Sequence, residues 1–264
     1  MRPNACKARL KNGELALCMV LNQARTNDVV QMAATAGFHA VFIDMEHSPF
    51  SLETVSMLCT AALGFGVTPL VRVMSKSGPE LGTLLDIGAQ GLIVPHVNTA
   101  QEAATIVDRC KFPPLGHRSV TTIGPHLGYE SHREQDIIAH MDAETMLFAI
   151  IESEQGAANL EEIAAVPGID ALHVAVRDLC TDLGIPGDYR NPRVVEIYRR
   201  AAEACRKHGK AMGIGGVRGD TEYQRELYRM GVRFMTIGSD SGYIVAGARA
   251  DVAAISKAIA STSG

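Results

Sequence analysis

The chain has 264 residues, of which 47% are hydrophobic and 20% charged, and 25 Lys and Arg against 29 Asp and Glu give a formal net charge of −4. This composition supplies a large apolar core and excludes an intrinsically disordered protein. A mildly acidic chain with no Trp and only 5% aromatic residues is not a nucleic-acid-binding protein, because those proteins need basic surfaces and stacking side chains.

Membrane insertion and secretion are not expected either. No apolar run reaches the roughly 18 residues that a membrane-spanning helix needs. Residues 1–10 carry basic side chains without a following apolar segment, which predicts that no secretory signal is present. The six cysteines include no C-x-x-C pair, so we expect buried, reduced thiols and no zinc site. These observations predict a cytoplasmic protein.

Short apolar, β-branched runs alternate with amphipathic segments along the chain. The predicted strands are Leu15–Leu21, Ala40–Asp44, Pro69–Val73, Gly91–Pro95, Leu147–Ile151, Ala171–Val176, Ala211–Ile214 and Phe234–Ile237. The predicted helices are Asp28–Ala36, Leu52–Leu63, Pro79–Ile87, Ala100–Cys110, Leu160–Val166, Val194–His208, Glu222–Met230 and Ser241–Ser261. Glycine is a common helix terminator, and five helices are predicted to stop at Gly37, Gly64, Gly88, Gly209 and Gly231.

Eight strands that alternate with eight helices predict an α/β fold with a parallel sheet. At this length the simplest architecture is a (β/α)8 TIM barrel, forming a single domain over residues 1–264. The alternative is an open doubly wound sheet, but the Gly-rich fingerprint of that fold is missing after the first strand. Residues 111–144 form an unusually long connection rich in Pro and Gly, which we expect to be an irregular loop with a functional or interfacial role.

The active site of a TIM barrel lies at the carboxyl ends of its strands. Glu152 and Asp178 follow adjacent predicted strands, so two carboxylates should meet at one mouth. A hard divalent cation such as Mg²⁺ or Mn²⁺ between them would relieve their repulsion. The alternative is that one of the two carboxylates forms a salt bridge with Arg72 or Arg177.

Asp44 and His47 lie three residues apart after the second strand. A carboxylate near an imidazole fixes the tautomer of the ring and raises its basicity, which suits general acid–base catalysis near neutral pH. The alternative is that His47 caps the next helix, with Ser48 or Ser51 as the N-cap residue.

Arg72 ends an otherwise apolar strand, and a buried Arg needs an anion. That anion could be Asp44, Glu152 or a substrate carboxylate, and the sequence leaves the choice open. His173 lies in the middle of a predicted strand, and we expect it to be packed in the core or to face outward.

Several segments carry a resemblance to a known family. They are Phe42–Pro49 with the sequence FIDMEHSP, Val71-Arg72-Val73, Leu85–Pro95 with LDIGAQGLIVP, Ile151-Glu152 and Asp178-Leu179. In order and spacing, over nearly the whole chain, they resemble the metal-dependent (class II) pyruvate aldolases of the HpcH/HpaI type, which act on 4-hydroxy-2-oxo acids.

This resemblance implies that Glu152 and Asp178 bind a divalent metal ion, Mg²⁺, Mn²⁺ or Co²⁺. It implies that Arg72 binds the keto acid and stabilises its enolate, and that the backbone of Arg177 and Asp178 receives the pyruvate carboxylate. The expected partners are therefore a small 2-oxo acid and an aldehyde.

The same resemblance implies that His47 is the catalytic acid or base. Asp44 would support the site, and Asp86 would raise the basicity of His47, reaching it from a neighbouring subunit. The family is a TIM barrel that assembles into homo-oligomers, trimers or hexamers, often with a swapped C-terminal helix. Residues Ser241–Ser261 would be that helix here.

The sequence departs from the usual family pattern at four places. Ile150 replaces a Gln two residues before the metal-binding Glu, and Ala175-Val176-Arg177 replaces Gly-Pro-(Ala/Ser/Thr) before Asp178. Val73 replaces a Pro, and Arg118-Ser119 replaces Arg-Gly in the long connection. We therefore expect a shifted acceptor, a different keto acid or reduced activity.

The residues and the resemblance together predict a carbon–carbon lyase. It would cleave or form the bond of a 4-hydroxy-2-oxo acid through a metal-stabilised enolate, giving pyruvate or a related 2-oxo acid and an aldehyde. No Lys stands at the predicted strand ends, which disfavours a Schiff-base aldolase. One alternative is a metal-dependent decarboxylase of oxaloacetate-like acids, which shares the enolate. The other is a diverged barrel that binds a keto acid or a protein partner without turnover.

Overall fold

A computed structural model describes residues 1–261, in which eight parallel strands form a closed barrel in chain order. The last strand pairs with the first, so the predicted TIM barrel is confirmed and the open sheet is excluded. The strands are β1 (Ala16–Leu21), β2 (Ala40–Asp44), β3 (Thr68–Arg72), β4 (Gly91–Val94), β5 (Met146–Ile151), β6 (Ala171–Ala175), β7 (Ala211–Gly215) and β8 (Val232–Ser239).

Twelve α-helices are found among the described residues, and several begin at a Ser, Thr, Asn or Asp whose side chain accepts a backbone N–H of the first turn. Such caps satisfy amides that have no partner inside the helix. The helices are α1 (Ala5–Lys11), α2 (Asp28–Thr35), α3 (Leu52–Phe65), α4 (Glu80–Asp86), α5 (Ala100–Cys110), α6 (Glu134–Glu144), α7 (Glu154–Ala158), α8 (Leu160–Ala165), α9 (Val176–Asp182), α10 (Pro192–His208), α11 (Thr221–Met230) and α12 (Asp240–Ala260).

The strands are buried on both faces, which explains why they are apolar without alternation. One face packs inside the barrel, where the side chains include Cys18, Phe42, Leu70, Ile93, Phe148 and Phe234. The other face packs against the surrounding helices, through side chains that include Leu21, Ile43, Val71, Leu92, Leu147 and Leu172. These two apolar layers hold the strand ends, and the polar residues on them, in fixed positions.

Helix α1 closes the barrel at the amino ends of the strands. Lys7 Nζ lies 2.9 Å from an Asp170 carboxylate oxygen and donates to the carbonyl of Thr145 at 2.9 Å. The Asn4 side-chain amide donates to the carbonyl of Gln90 at 3.1 Å, and Cys6 joins the interior apolar layer. Helix α1 therefore covers the amino ends of the strands.

The structure corrects two predictions about local structure. Helix α3 does not stop at Gly64 but continues to Phe65, and Gly66 ends it in the left-handed conformation at a φ of 71°. The connection 111–144 is not wholly irregular, because it contains a short 3₁₀ helix, Pro125–Leu127, and the eleven-residue α6. Helix α6 buries only Ile137 and Met141, so its hydrophobic pattern is too weak to identify it from sequence.

Helix α12 contacts the barrel only at its beginning. The Asp240 carboxylate accepts the backbone N–H groups of Gln23 at 2.9 Å and Ala24 at 2.6 Å, whereas the rest of the helix is exposed, including the apolar Ile244, Val252 and Ile255. Within the described part of the chain, no helix is long and apolar enough to cross a membrane.

Candidate active site

A cavity of about 380 Å³ opens at the carboxyl ends of the strands, where a TIM barrel carries its active site. Its volume is in the range of small-molecule sites. Its walls include five predicted site residues, Asp44, His47, Arg72, Arg177 and Asp178. Other lining residues are Val20, Asn22, Gln23, Phe42, Ser48, Ile150, His173, Ala175, Val176, Gly215, Gly216, Arg218 and Thr236.

Arg72 is held by two carboxylates at the edge of this cavity. Its Nε and Nη2 donate to the two oxygens of Asp44 at 2.9 and 2.7 Å, and its Nη1 lies 2.9 Å from Glu46 Oε2. The side chains of Arg72 and Asp44 are 12% and 6% exposed. A bidentate, buried pair of this kind fixes the guanidinium in one orientation.

His47 is largely exposed at the mouth, and its ring does not contact Asp44. Asp44 Oδ1 instead accepts the backbone N–H groups of Glu46 at 3.1 Å and His47 at 3.2 Å. The expected contact between the Asp44 carboxylate and the imidazole is therefore wrong, because this carboxylate faces Arg72. The capping alternative is confirmed for Ser51, which is the N-cap residue of α3, but His47 takes no part in this cap.

Glu152 is buried just beyond β5, where it accepts a hydrogen bond from the His96 backbone and contacts the His96 ring. Its Oε1 lies 2.6 Å from the His96 backbone N and 2.9 Å from Nδ1, and His96 Nε2 lies 3.2 Å from Glu46 Oε1. His96 has a φ of 56°, a conformation that non-glycine residues rarely adopt. Burial raises the pKa of Glu152, and the nearby charges of Glu46 and Asp178 raise it further.

Asp178 is exposed in the first turn of α9, close enough for its charge to affect Glu152. Among the described residues, neither carboxylate forms an ion pair with Arg72 or Arg177. The salt-bridge alternative for these two carboxylates is therefore excluded. The site holds two acidic side chains that no arginine neutralises.

Asp86 lies at the end of α4 and accepts a hydrogen bond from Arg118 Nη2 at 2.7 Å. The Arg118 guanidinium also stacks over the Phe112 ring, 5.0 Å from its centroid. Asp86 does not line the cavity and makes no contact with His47 within this chain. Its expected role across a subunit boundary remains a prediction.

His173 faces the barrel interior and lines the bottom of the cavity, so it does not face outward. It is 3% exposed, and no partner for its Nδ1 is found within residues 1–261. Burial, aided by the charge of Arg72, lowers the pKa of His173 to about 3. Its imidazole is therefore neutral at physiological pH.

Glu46 and His96 are also part of the site, although neither was predicted as a site residue from the sequence. Glu46 joins Arg72 to His96, and His96 contacts the buried Glu152. The signals were present, since Glu46 lies between Asp44 and His47 and since His96 follows β4. The positions of these side chains depend on loop geometry that the strand pattern does not reveal.

Comparison with known proteins agrees with this geometry. A family model described as HpcH/HpaI aldolase/citrate lyase matches residues 18–246. A 4-hydroxy-4-methyl-2-oxoglutarate aldolase of Chaetomium globosum is 38% identical over 248 residues, covering 93% of this chain and 92% of that protein. A 2-keto-3-deoxy-L-rhamnonate aldolase of Escherichia coli is 31% identical, covering 90% and 88%.

A similar fold is also found among solved structures. The crystal structure of an HpcH/HpaI aldolase from Desulfitobacterium hafniense DCB-2 superposes with a TM-score of 0.88, at 27% identity and over 94% of this chain and 95% of that one. The sequence match extends over nearly the whole chain, and the barrel fold is shared. The chain therefore belongs to the HpcH/HpaI aldolase/citrate lyase family, and the predicted class, a carbon–carbon lyase of the aldolase type, is confirmed.

Proposed function

We propose that the protein cleaves 4-hydroxy-2-oxo acids to a 2-oxo acid, such as pyruvate, and an aldehyde. The observation that carries this proposal is the arrangement of two carboxylates without an arginine partner. Asp178 lines the mouth together with Arg72 and His47, and Glu152 is buried behind the cavity lining, near enough for the charge of Asp178 to raise its pKa. Relatives whose names describe cleavage of such acids support the same reaction.

The two carboxylates fit a divalent metal ion. Burial and neighbouring negative charges raise the pKa of Glu152, so a bound cation would favour its ionised form. Carboxylate oxygens suit Mg²⁺ or Mn²⁺, which often take only one or two carboxylates from the protein. Within residues 1–261 no group of three or more His, Cys, Asp or Glu suits a metal, so water and substrate would complete the shell. Members of this family generally depend on a divalent metal ion.

When bound, the metal would stabilise negative charge on the 2-oxo oxygen as a Lewis acid. Arg72 supplies a second, fixed positive charge, because Asp44 and Glu46 hold its guanidinium in place. We assign to His47 the removal of the proton from the 4-hydroxyl group as the bond between C3 and C4 breaks. The bond electrons pass to C3 as the enolate, which then takes up a proton from solvent, and His47 releases the proton that it removed to solvent.

We also propose that the protein is a homo-oligomer in which α12 packs on a second copy. Along α12 the apolar side chains Ile244, Val252 and Ile255 are 69%, 67% and 63% exposed, and apolar patches of this kind usually mark interfaces. Light scattering coupled to size exclusion should show a trimer or hexamer for the wild type and a smaller species for Val252→Asp/Ile255→Asp. An unchanged mass would contradict the assignment of α12 to the interface.

We propose a cytoplasmic location because the cysteines are free thiols. All six are buried free thiols, as is usual in a reducing compartment. Fractionation of cells that produce the protein tests this, and recovery in a secreted fraction would contradict it.

The deciding experiment measures pyruvate release from a panel of 4-hydroxy-2-oxo acids with Mg²⁺, Mn²⁺ or Co²⁺ and with EDTA. Glu152→Gln should abolish release, whereas the control Glu154→Gln, two residues further along and exposed beside Arg193, should not. Release of carbon dioxide from oxaloacetate without aldol cleavage would instead indicate a decarboxylase. Binding of pyruvate without any turnover would indicate a barrel that only binds keto acids.

A further inference from the structure

Two arginines on the wall of the cavity have no acidic partner. Arg177 lies in the first turn of α9 and Arg218 in the loop after β7, and both line the cavity. Among the described residues, neither forms an ion pair. Arg72 differs from them, because it forms ion pairs with Asp44 and Glu46.

The acidic residues that flank this wall are engaged elsewhere. Asp240 accepts backbone N–H groups of Asn22, Gln23 and Ala24, and Asp220 pairs with Arg190 at 3.1 Å. Asp240 and Asp220 are therefore not available to Arg177 or Arg218, and Asp178 is the carboxylate that the proposed function assigns to the metal ion.

The two guanidinium groups are also close enough to affect one another. Burial lowers the pKa of Arg218, and the charge of Arg177 lowers it further. Arg218 Nη1 is anchored by the Ser239 hydroxyl at 3.2 Å. The stem of Arg177 crosses Gly216, where a Cβ would stand 3.2 Å from its Cγ. Two like charges that line one cavity are stabilised by an anion bound between them.

We propose that Arg177 and Arg218 bind a second carboxylate of the substrate, which makes a dicarboxylic 4-hydroxy-2-oxo acid the preferred substrate class. This inference rests on the proposed function, which places the 2-oxo acid half at Glu152, Asp178 and Arg72. The second carboxylate is then the one attached to the carbon that becomes the aldehyde. Arg72 does not compete for it, because Asp44 and Glu46 hold its guanidinium at the 2-oxo acid half.

The test compares two acids that differ only at that carbon. 4-Hydroxy-2-oxoglutarate carries a carboxylate where 4-hydroxy-2-oxopentanoate carries a methyl group, and both release pyruvate. The wild type should prefer the dicarboxylate. Arg177→Gln and Arg218→Gln should each lower the ratio of the two kcat/KM values about ten-fold or more, mainly through a higher KM for the dicarboxylate. The control is Arg206→Gln, an exposed arginine on α10 outside the cavity lining, which should leave the ratio unchanged.

The outcomes separate this inference from the proposed function. Exchange of the pyruvate methyl protons for deuterium by the wild type tests the 2-oxo acid half alone. If the wild type exchanges these protons, two results would overturn the second-carboxylate site and leave the aldolase proposal intact. One is that the arginine variants lose kcat/KM equally for both acids. The other is that neither variant loses kcat/KM. Failure of the wild type to exchange pyruvate or to cleave either acid would overturn both.

Discussion

The buried pair of Arg72 and Asp44 makes a quantitative prediction about stability. Removal of one partner from a buried ion pair costs about 3–5 kcal/mol, because the other charge is left uncompensated. Asp44→Asn keeps the shape of the side chain, and Arg72 retains Glu46 at 2.9 Å, so we expect a smaller loss of about 2–3 kcal/mol. Arg72→Met removes the arginine partner of two carboxylates, Asp44 and Glu46, and should lower the free energy of unfolding by about 3–5 kcal/mol.

A double-mutant cycle isolates the pair itself. The combined variant should be more stable than the sum of the single losses predicts, with a coupling energy of about 1.5–3 kcal/mol. Urea unfolding followed by circular dichroism is the assay, since the chain has no Trp to report by fluorescence. Protein concentration is held fixed because an oligomer's stability depends on it.

The exposed pair Arg225 and Glu222, three residues apart on α11, is the control for this cycle. Its coupling should be indistinguishable from zero, because solvent screens exposed pairs. A coupling below about 0.5 kcal/mol for Arg72 and Asp44 would refute the argument that a buried fork holds the guanidinium in place.

Three further predictions concern buried groups. In the folded protein the pKa of His173 is lowered to about 3 from an ordinary 6.5, so between these pH values the unfolded chain binds a proton that the folded one does not. The free energy of unfolding of the wild type should therefore fall as the pH drops from 6.5, by up to about 1.4 kcal/mol per pH unit from this group. In His173→Phe this part of the pH dependence should be absent. Equal pH dependence of the free energy of unfolding in the two proteins, measured in urea, would contradict this. Gly215→Ala would place a Cβ 2.8 Å from His173 Nε2 and 3.0 Å from Thr236 Oγ1, and this clash should lower Tm. The decrease in Tm should be smaller when His173→Ala is also present. Decreases that simply add in the double variant would contradict the clash. Burial raises the pKa of the thiols. A disulfide reagent should therefore react with the cysteines of the folded protein only as fast as local or global unfolding exposes them. Rapid labelling of any cysteine in the folded protein would contradict this.

Much of the barrel could be predicted from sequence because each strand is an apolar run between helical patterns. The bounds of β2 and α5, Ala40–Asp44 and Ala100–Cys110, agree with the prediction. Helix α6 could not be found in this way, since it buries only two apolar side chains. Extension of α3 past Gly64 depends on Gly66, which takes the left-handed conformation.

The candidate site was predictable only as a set of residues, because their pairing depends on the sheet. Asp44 and His47 are neighbours in sequence, yet the register of β2 and β3 sets Asp44 directly beside Arg72. Side chains of paired residues in adjacent strands point to the same face. His96 reaches Glu152 because of its left-handed backbone, which no pattern of apolar residues encodes.

Helix α1 covers the amino ends of the strands, so the cavity at the carboxyl ends does not continue through the barrel. Both reaction products must leave through the mouth by which the substrate came in, so the fragment bound nearer the floor cannot leave before the one above it. Cleavage should then release its products in a fixed order, and condensation should require the two reactants in the reverse order. Product-inhibition patterns would reveal this sequence, with competitive inhibition only by the fragment that leaves last.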